Sequence, residues 1–305
     1  MERKTFDKKK ILFLLFPIAL WIANEYLTNI FYIIPKMLLT YLPLSDDFIN
    51  RSASFIDASI SISLIIVYLI LYKLMFREKL EPEVRLSKPQ STLFTIIISF
   101  GVGGVSTIWL ELFEYISKHF QSLNDQVQNF STLYDDMEQS PYIWTLLAIA
   151  IVGPIVEEIM FRGLIYRSLE KAIETPWIPI VISGVMFGAW HGSFIQGVYT
   201  AILGMILAYY YKKTRSLFLV IMVHIINNFL STLPPAWADR QHDDLVRREP
   251  EGEVPCSVLD EDSDEALHGA EGSSVDHHRA MLLIICPRVF EVEALGEIVV
   301  YLDRT

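Results

Sequence analysis

Three apolar stretches carry side chains that packing alone does not ask for. IVGPIVEEIMFRG holds Glu157, Glu158 and Arg162, GVMFGAWHGS holds Phe187 and His191, and VIMVHIINNF holds His224, Asn227 and Asn228. An ionisable group inside an apolar span costs free energy unless it is paired, so each is a functional candidate by default. Glu158 and Arg162 stand at i and i+4, one helical turn apart, a spacing that forms a salt bridge and makes the arginine tolerable at depth. Glu157 points about 100° away from Glu158 and lacks that partner, as a general base requires. Phe187 with His191, and His224 with Asn228, share one helix face at the same spacing. Two readings compete: convergence on one internal cavity, or a polar packing cluster. Three separate helices carrying such groups favour convergence. Glu157, His191 and His224 also match a catalytic zinc site in ligand type, although the H-E-x-x-H spacing of soluble zinc proteases is absent.

In order, EEIMFR fits E-E-x-x-x-R, FGAWH fits F-x-x-x-H and HIINN fits H-x-x-x-N. Together they resemble the three motifs of the CPBP family of intramembrane proteases, which includes the type II CAAX prenyl endopeptidases and the bacterial Abi or bacteriocin-processing proteins. The resemblance covers roughly residues 142–233. It implies an all-helical membrane enzyme that cleaves peptide bonds near the membrane surface. It further implies that Glu157 activates water with help from His191, and that His224 and Asn228 line the site and stabilise the oxyanion. Glu158 and Arg162 would hold the helix and orient its neighbour, and Phe187 would pack or form a substrate wall. In such a family the site reads either as zinc held by Glu157, His191 and His224 or as a metal-free glutamate and histidine pair.

The elements that must position these residues are transmembrane helices. Of 305 residues 52% are hydrophobic and 20% charged, with a mean hydropathy of +0.36 that ordinary soluble domains do not reach. Seven runs approach the roughly 20 residues a bilayer core needs, near 11–34, 56–75, 91–112, 142–166, 177–192, 195–211 and 216–234. The expected fold is an all-α, polytopic bundle of about seven spans. The first run follows Lys8, Lys9 and Lys10, lacks a small-x-small cleavage site, and reads as a retained anchor. Lys and Arg fall in alternate connections: Arg3 to Lys10, Lys73 to Lys88, Arg167 with Lys171, and Lys212 to Arg215. This puts the N-terminus in the cytoplasm. Gly184 with Gly188, Gly197 with Ala201, and Gly204 with Ala208 recur at the spacing that lets helices approach closely, a packing signal. One tension remains: His191 lies about 21 Å up its span from the inside, and Glu157 lies well down its own from the outside. Pro154 and Gly192–Ser193 are the breaks that could bring them level.

The net charge of −11 belongs to one segment. Residues 236–305 hold 6 Lys and Arg against 17 Asp and Glu, whereas residues 1–235 are balanced at 19 each. No basic stripe accompanies the neutral body, so a nucleic-acid binder is excluded along with a soluble acidic enzyme. The expected division is 1–141 for N-terminal helices, 142–235 for the catalytic core, and 236–305 for an acidic tail, either disordered or foreign sequence from a frameshift or fusion. Cys256 and Cys286 both lie in that tail. The expected function is an intramembrane endopeptidase in the membrane of a bacterium. Its substrate would be a leader peptide, a bacteriocin-type precursor or a membrane-anchored regulator. The alternative is a non-catalytic immunity or scaffolding protein that retains the polar cluster, and a transporter with an acid and histidine relay is a third reading.

Overall fold

The computed structural model describes residues 8–42, 52–124, 126–127 and 140–232. The chain divides into two units at Thr232 and Leu233. The expectations for the acidic tail and its two cysteines lie outside the described residues. Among the described residues the first unit has seven principal helices: α1 (Lys8–Tyr41), α2 (Ala53–Met75), α3 (Lys88–Ser117), α4 (Tyr142–Ala172), α5 (Ile178–Trp190), α6 (Phe194–Thr214) and α7 (Leu217–Ser231). Their order matches the seven apolar runs one for one. The protein is an all-α, multi-pass membrane protein.

Lengths depart from the expectation of seven full spans. α1, α2, α3, α4 and α6 are long and apolar enough to cross a membrane, whereas α5 has 13 residues and α7 has 15. At 1.5 Å per residue these two reach only about 20 and 22 Å, short of a hydrocarbon core of about 30 Å. Local signals set their bounds. Pro179 opens the first turn of α5, where a missing N–H costs nothing, and Gly192 just beyond its end takes φ +67°. Ser216 caps α7 by accepting a hydrogen bond from Leu219 N at 3.3 Å.

α4 runs through the middle of the bundle. Every residue from Glu158 to Leu169 is buried, including Phe161, Leu164, Ile165 and Tyr166 at 0% exposure. The outer helices show the reverse pattern, with Leu12, Ile66, Ile108 and Phe218 more than half exposed, as lipid-facing side chains are. α5 and α6 pack through the small residues flagged by spacing: a Cβ on Gly188 would meet Gly197 O at 2.3 Å and Ala201 Cβ at 2.7 Å. The packing reading of those glycines holds.

The four base-rich connections meet at one end of the bundle. Lys10 pairs with Glu174 at 2.6 Å, Lys171 with Glu78 at 3.7 Å, and Lys213 with Glu83 at 2.7 Å, with Lys212 also on Glu83. Arg215 grips Glu170 with two hydrogen bonds of 2.7 and 2.8 Å. Alternation of basic loops along the sequence is therefore realised as a single basic end, which is what an even weave of helices through a bilayer produces.

Candidate active site

The site grows out of an irregularity in α4. The helix winds wide, as π-helix, over Leu146–Val152 and again over Ile159–Tyr166, leaving the six-residue α segment Gly153–Glu158 between. In the first wide turn Gly153 N–H donates to Ala148 O. The next carbonyl, Ile149 O, would look five residues ahead to Pro154, which has no N–H. Asn228 fills the vacancy, donating from Nδ2 to Ile149 O at 3.0 Å. Third-motif asparagine and first-motif helix are joined by the defect that Pro154 creates.

One turn further, the two glutamates diverge. Glu158 and Arg162 are each 0% exposed and pair at 2.8 Å, as their spacing predicts. Glu158 Oε1 also accepts from His224 Nδ1 at 2.8 Å, and Arg162 Nη2 donates to Gly204 O at 3.0 Å. With Nδ1 of His224 turned to Glu158, Nε2 is the ring nitrogen on the Glu157 side. That nitrogen lies 3.7 Å from Glu157 Oε2. Glu157 Oε2 is buried and makes no hydrogen bond among the described residues. A buried carboxylate oxygen and an imidazole nitrogen thus face each other directly, too close for a water to stand between them, and water reaches Glu157 from the cavity that its side chain lines.

The level of His224 against Glu157 follows from where the short helix α7 is seated. A Cβ on Gly163 would lie 3.7 Å from Leu217 Cδ1, so α7 begins level with Gly163 rather than at the end of α4. Six residues back to Glu157 and seven forward to His224 are about 9 and 10 Å, and the two arrive together.

His191 takes a different position. Its Nδ1 donates to Phe187 O at 2.9 Å, and no hydrogen bond or ion pair among the described residues joins it to Glu157. Phe187, fully buried, stands between the histidines, with ring centroids 4.9 Å from His191 and 5.7 Å from His224. The Arg162 guanidinium lies 4.6 Å from the Phe187 centroid, a cation–π contact. Phe187 is a hub that packs the three motifs together, and its burial gives it no exposed wall to offer a substrate.

Glu157 opens onto a cavity of about 220 Å³ bounded by α1, α2, α4 and Trp190 of α5. Its far wall holds residues that the motifs do not mark: Asn24, Thr28, Asp57, Ser61 and Tyr68. The Tyr68 hydroxyl donates to Asn24 Oδ1, and Asn24 Nδ2 donates to Thr28 Oγ1 at 3.4 Å. The signal that could have found them is the one applied to α4: polar and ionisable side chains inside apolar runs.

A zinc site does not fit this arrangement. Among the described residues no three His, Cys, Asp or Glu side chains converge as metal ligands. Glu157 and His224 supply two donors, one short of the three protein ligands a catalytic zinc uses.

Buried arginine, split glutamates, hub phenylalanine and tethered asparagine bring the sequence motifs to one centre in the middle of the bundle. Residues 139–230 match the Rce1-like family. The matching model is that of the type II CAAX prenyl endopeptidase Rce1-like proteins, and the match spans the second half of the described bundle. A curated relative, the Bacillus subtilis (strain 168) protein named "Putative membrane peptidase YdiL", is 28% identical over 101 residues. That alignment covers 33% of this chain and 40% of the relative, so the chain spans about two fifths of the relative's length. No solved structure matches the chain. The cavity wall of α1 and α2 lies outside the Rce1-like stretch, whereas every residue around Glu158 lies within it.

Proposed function

We propose that the chain is an intramembrane endopeptidase that hydrolyses a peptide bond of a membrane-associated protein or peptide with water activated by Glu157. The observation that carries this reading is the placement of Glu157, which lines the cavity while its Oε2 lies 3.7 Å from His224 Nε2 behind it. A water on the cavity side of Glu157 gives one hydrogen to the carboxylate and aims its lone pair at the substrate carbonyl. Glu157 takes the proton as that oxygen attacks the scissile carbonyl, then passes it to the departing nitrogen; the C–N bond breaks to a carboxylic acid and an amine. Glu158 orients His224, and Arg162 neutralises Glu158. Asn228 has a second amide N–H beyond the one on Ile149 O, available to the oxyanion. His191 orients the substrate side of the site through Phe187 and Trp190. The base-rich end lies in the cytoplasm in this reading.

The test uses purified protein reconstituted in liposomes with quenched-fluorescence peptides carried on a lipid anchor. Two fragments form, the new carboxylate takes up one labelled oxygen from heavy-isotope water, and Glu157→Gln or His224→Ala lowers the rate by about 10²–10⁴. Full activity in both variants would overturn the proposal. Because the donor set is one short, hydrolysis is expected to survive exhaustive chelation; loss of activity on chelation with recovery on zinc would replace this mechanism.

A further inference from the structure

Asp57 is a carboxylate that the proposed reaction does not use. It lies on the second turn of α2, an apolar helix, and lines the same cavity as Glu157. Asp57, Ile60, Ser61, Leu64 and Tyr68 recur at helical spacing, so one stripe of α2 about 16 Å long walls the cavity from near the end of that helix inward. Among the described residues no Lys, Arg or His lines this cavity, although two carboxylates do. Its polar wall is held in place: Tyr68 is 0% and Asn24 2% exposed, and the Tyr68–Asn24–Thr28 chain ties α2 to α1. At about 220 Å³ the space is smaller than the roughly 300–1,000 Å³ of pockets that take whole small ligands, which suits a peptide residue or two.

Resting on the endopeptidase reading, we infer that Asp57 is a specificity-determining residue that selects a peptide with a basic side chain beside the scissile bond. An ammonium or guanidinium group entering the cavity meets Asp57 as an exposed carboxylate on its wall, an opposite charge that fixes the register of the incoming residue. Glu157 remains free to act as base, because Asp57 offers the incoming cation its own partner. A neutral residue at that place leaves Asp57 unmatched and is selected against.

Paired lipid-anchored peptides differing only in Lys, norleucine or Glu at positions flanking the cleaved bond test this in liposomes. Wild-type protein should favour the Lys peptide over norleucine by about tenfold in kcat/KM. Asp57→Asn should bring that ratio close to one, and Asp57→Lys should favour the Glu peptide. Binding of the same peptides to Glu157→Gln protein, followed by fluorescence polarisation, reads the preference without any cleavage. If no peptide is cut yet the Lys preference in binding persists and depends on Asp57, the endopeptidase reading fails and the subsite stands. If wild type treats Lys and norleucine alike in cleavage and in binding, or Asp57→Asn retains the preference, the inference is overturned.

Discussion

Glu157 and Glu158 differ by one peptide bond and by almost everything else. Glu158 is sealed between Arg162 and His224, whereas Glu157 has 23% of its side chain exposed and an oxygen without a hydrogen-bond partner among the described residues. Their amide variants should therefore separate. Glu157→Gln is expected to abolish hydrolysis while shifting unfolding free energy by less than about 1 kcal/mol. Glu158→Gln strands a buried arginine and is expected to cost about 3–5 kcal/mol, read as loss of thermal stability in detergent, besides lowering activity. The contrast between the two glutamates was legible in the sequence, because 100° per residue and an arginine at i+4 are enough to derive it. The partner of His224 was not. Which histidine stands beside Glu157 depends on where α7 begins, and that is set by Leu217 seating against Gly163, a contact no spacing rule encodes. Asp57 is legible by the rule used for Glu157, but it belongs to no motif.

Helices were the most readable level, since seven apolar runs became seven helices with bounds displaced by a few residues. The wide turns of α4 were less so: Pro154 announces a break, but whether a helix widens, kinks or stops is decided by its neighbours. α5 and α6 illustrate how close such neighbours come. Gly188→Val would drive a side chain into Gly197 O and Ala201, and is expected to cost about 3 kcal/mol or more, seen as lower melting temperature and lower yield of folded protein. Gly101 supplies the control: nothing lies within 4 Å of its Cβ position, so Gly101→Ala should leave stability unchanged or raise it by up to about 1 kcal/mol.

Over the whole bundle, one end is fastened by ion pairs between distant segments. Glu83, on the connection between α2 and α3, is held by the Lys212 and Lys213 ammonium groups down at about 2, from an ordinary value of 4.5. A carboxyl whose folded value is depressed stabilises the fold above its unfolded value and loses that contribution as pH falls through the folded one. Wild type and Glu83→Gln should therefore differ in melting temperature above pH 4.5 and converge as pH falls toward 2; a constant difference across that window would show that Glu83 acts by packing. The effect will be small, because the side chain is 36% exposed and salt screens it. The opposite half of the molecule raises a different matter, which follows from the shortness of α5 and α7. Val185 and Phe218 on these helices are exposed to lipid, yet both helices end about 8–10 Å short of a full hydrocarbon core. Lipid beside them must thin, or water must fill the remaining depth, and either brings the hydrolytic solvent down toward Glu157. Hydrophobic mismatch then becomes a determinant of rate: turnover should fall in bilayers of progressively longer acyl chains while the protein stays folded, as the aqueous path to the carboxylate closes.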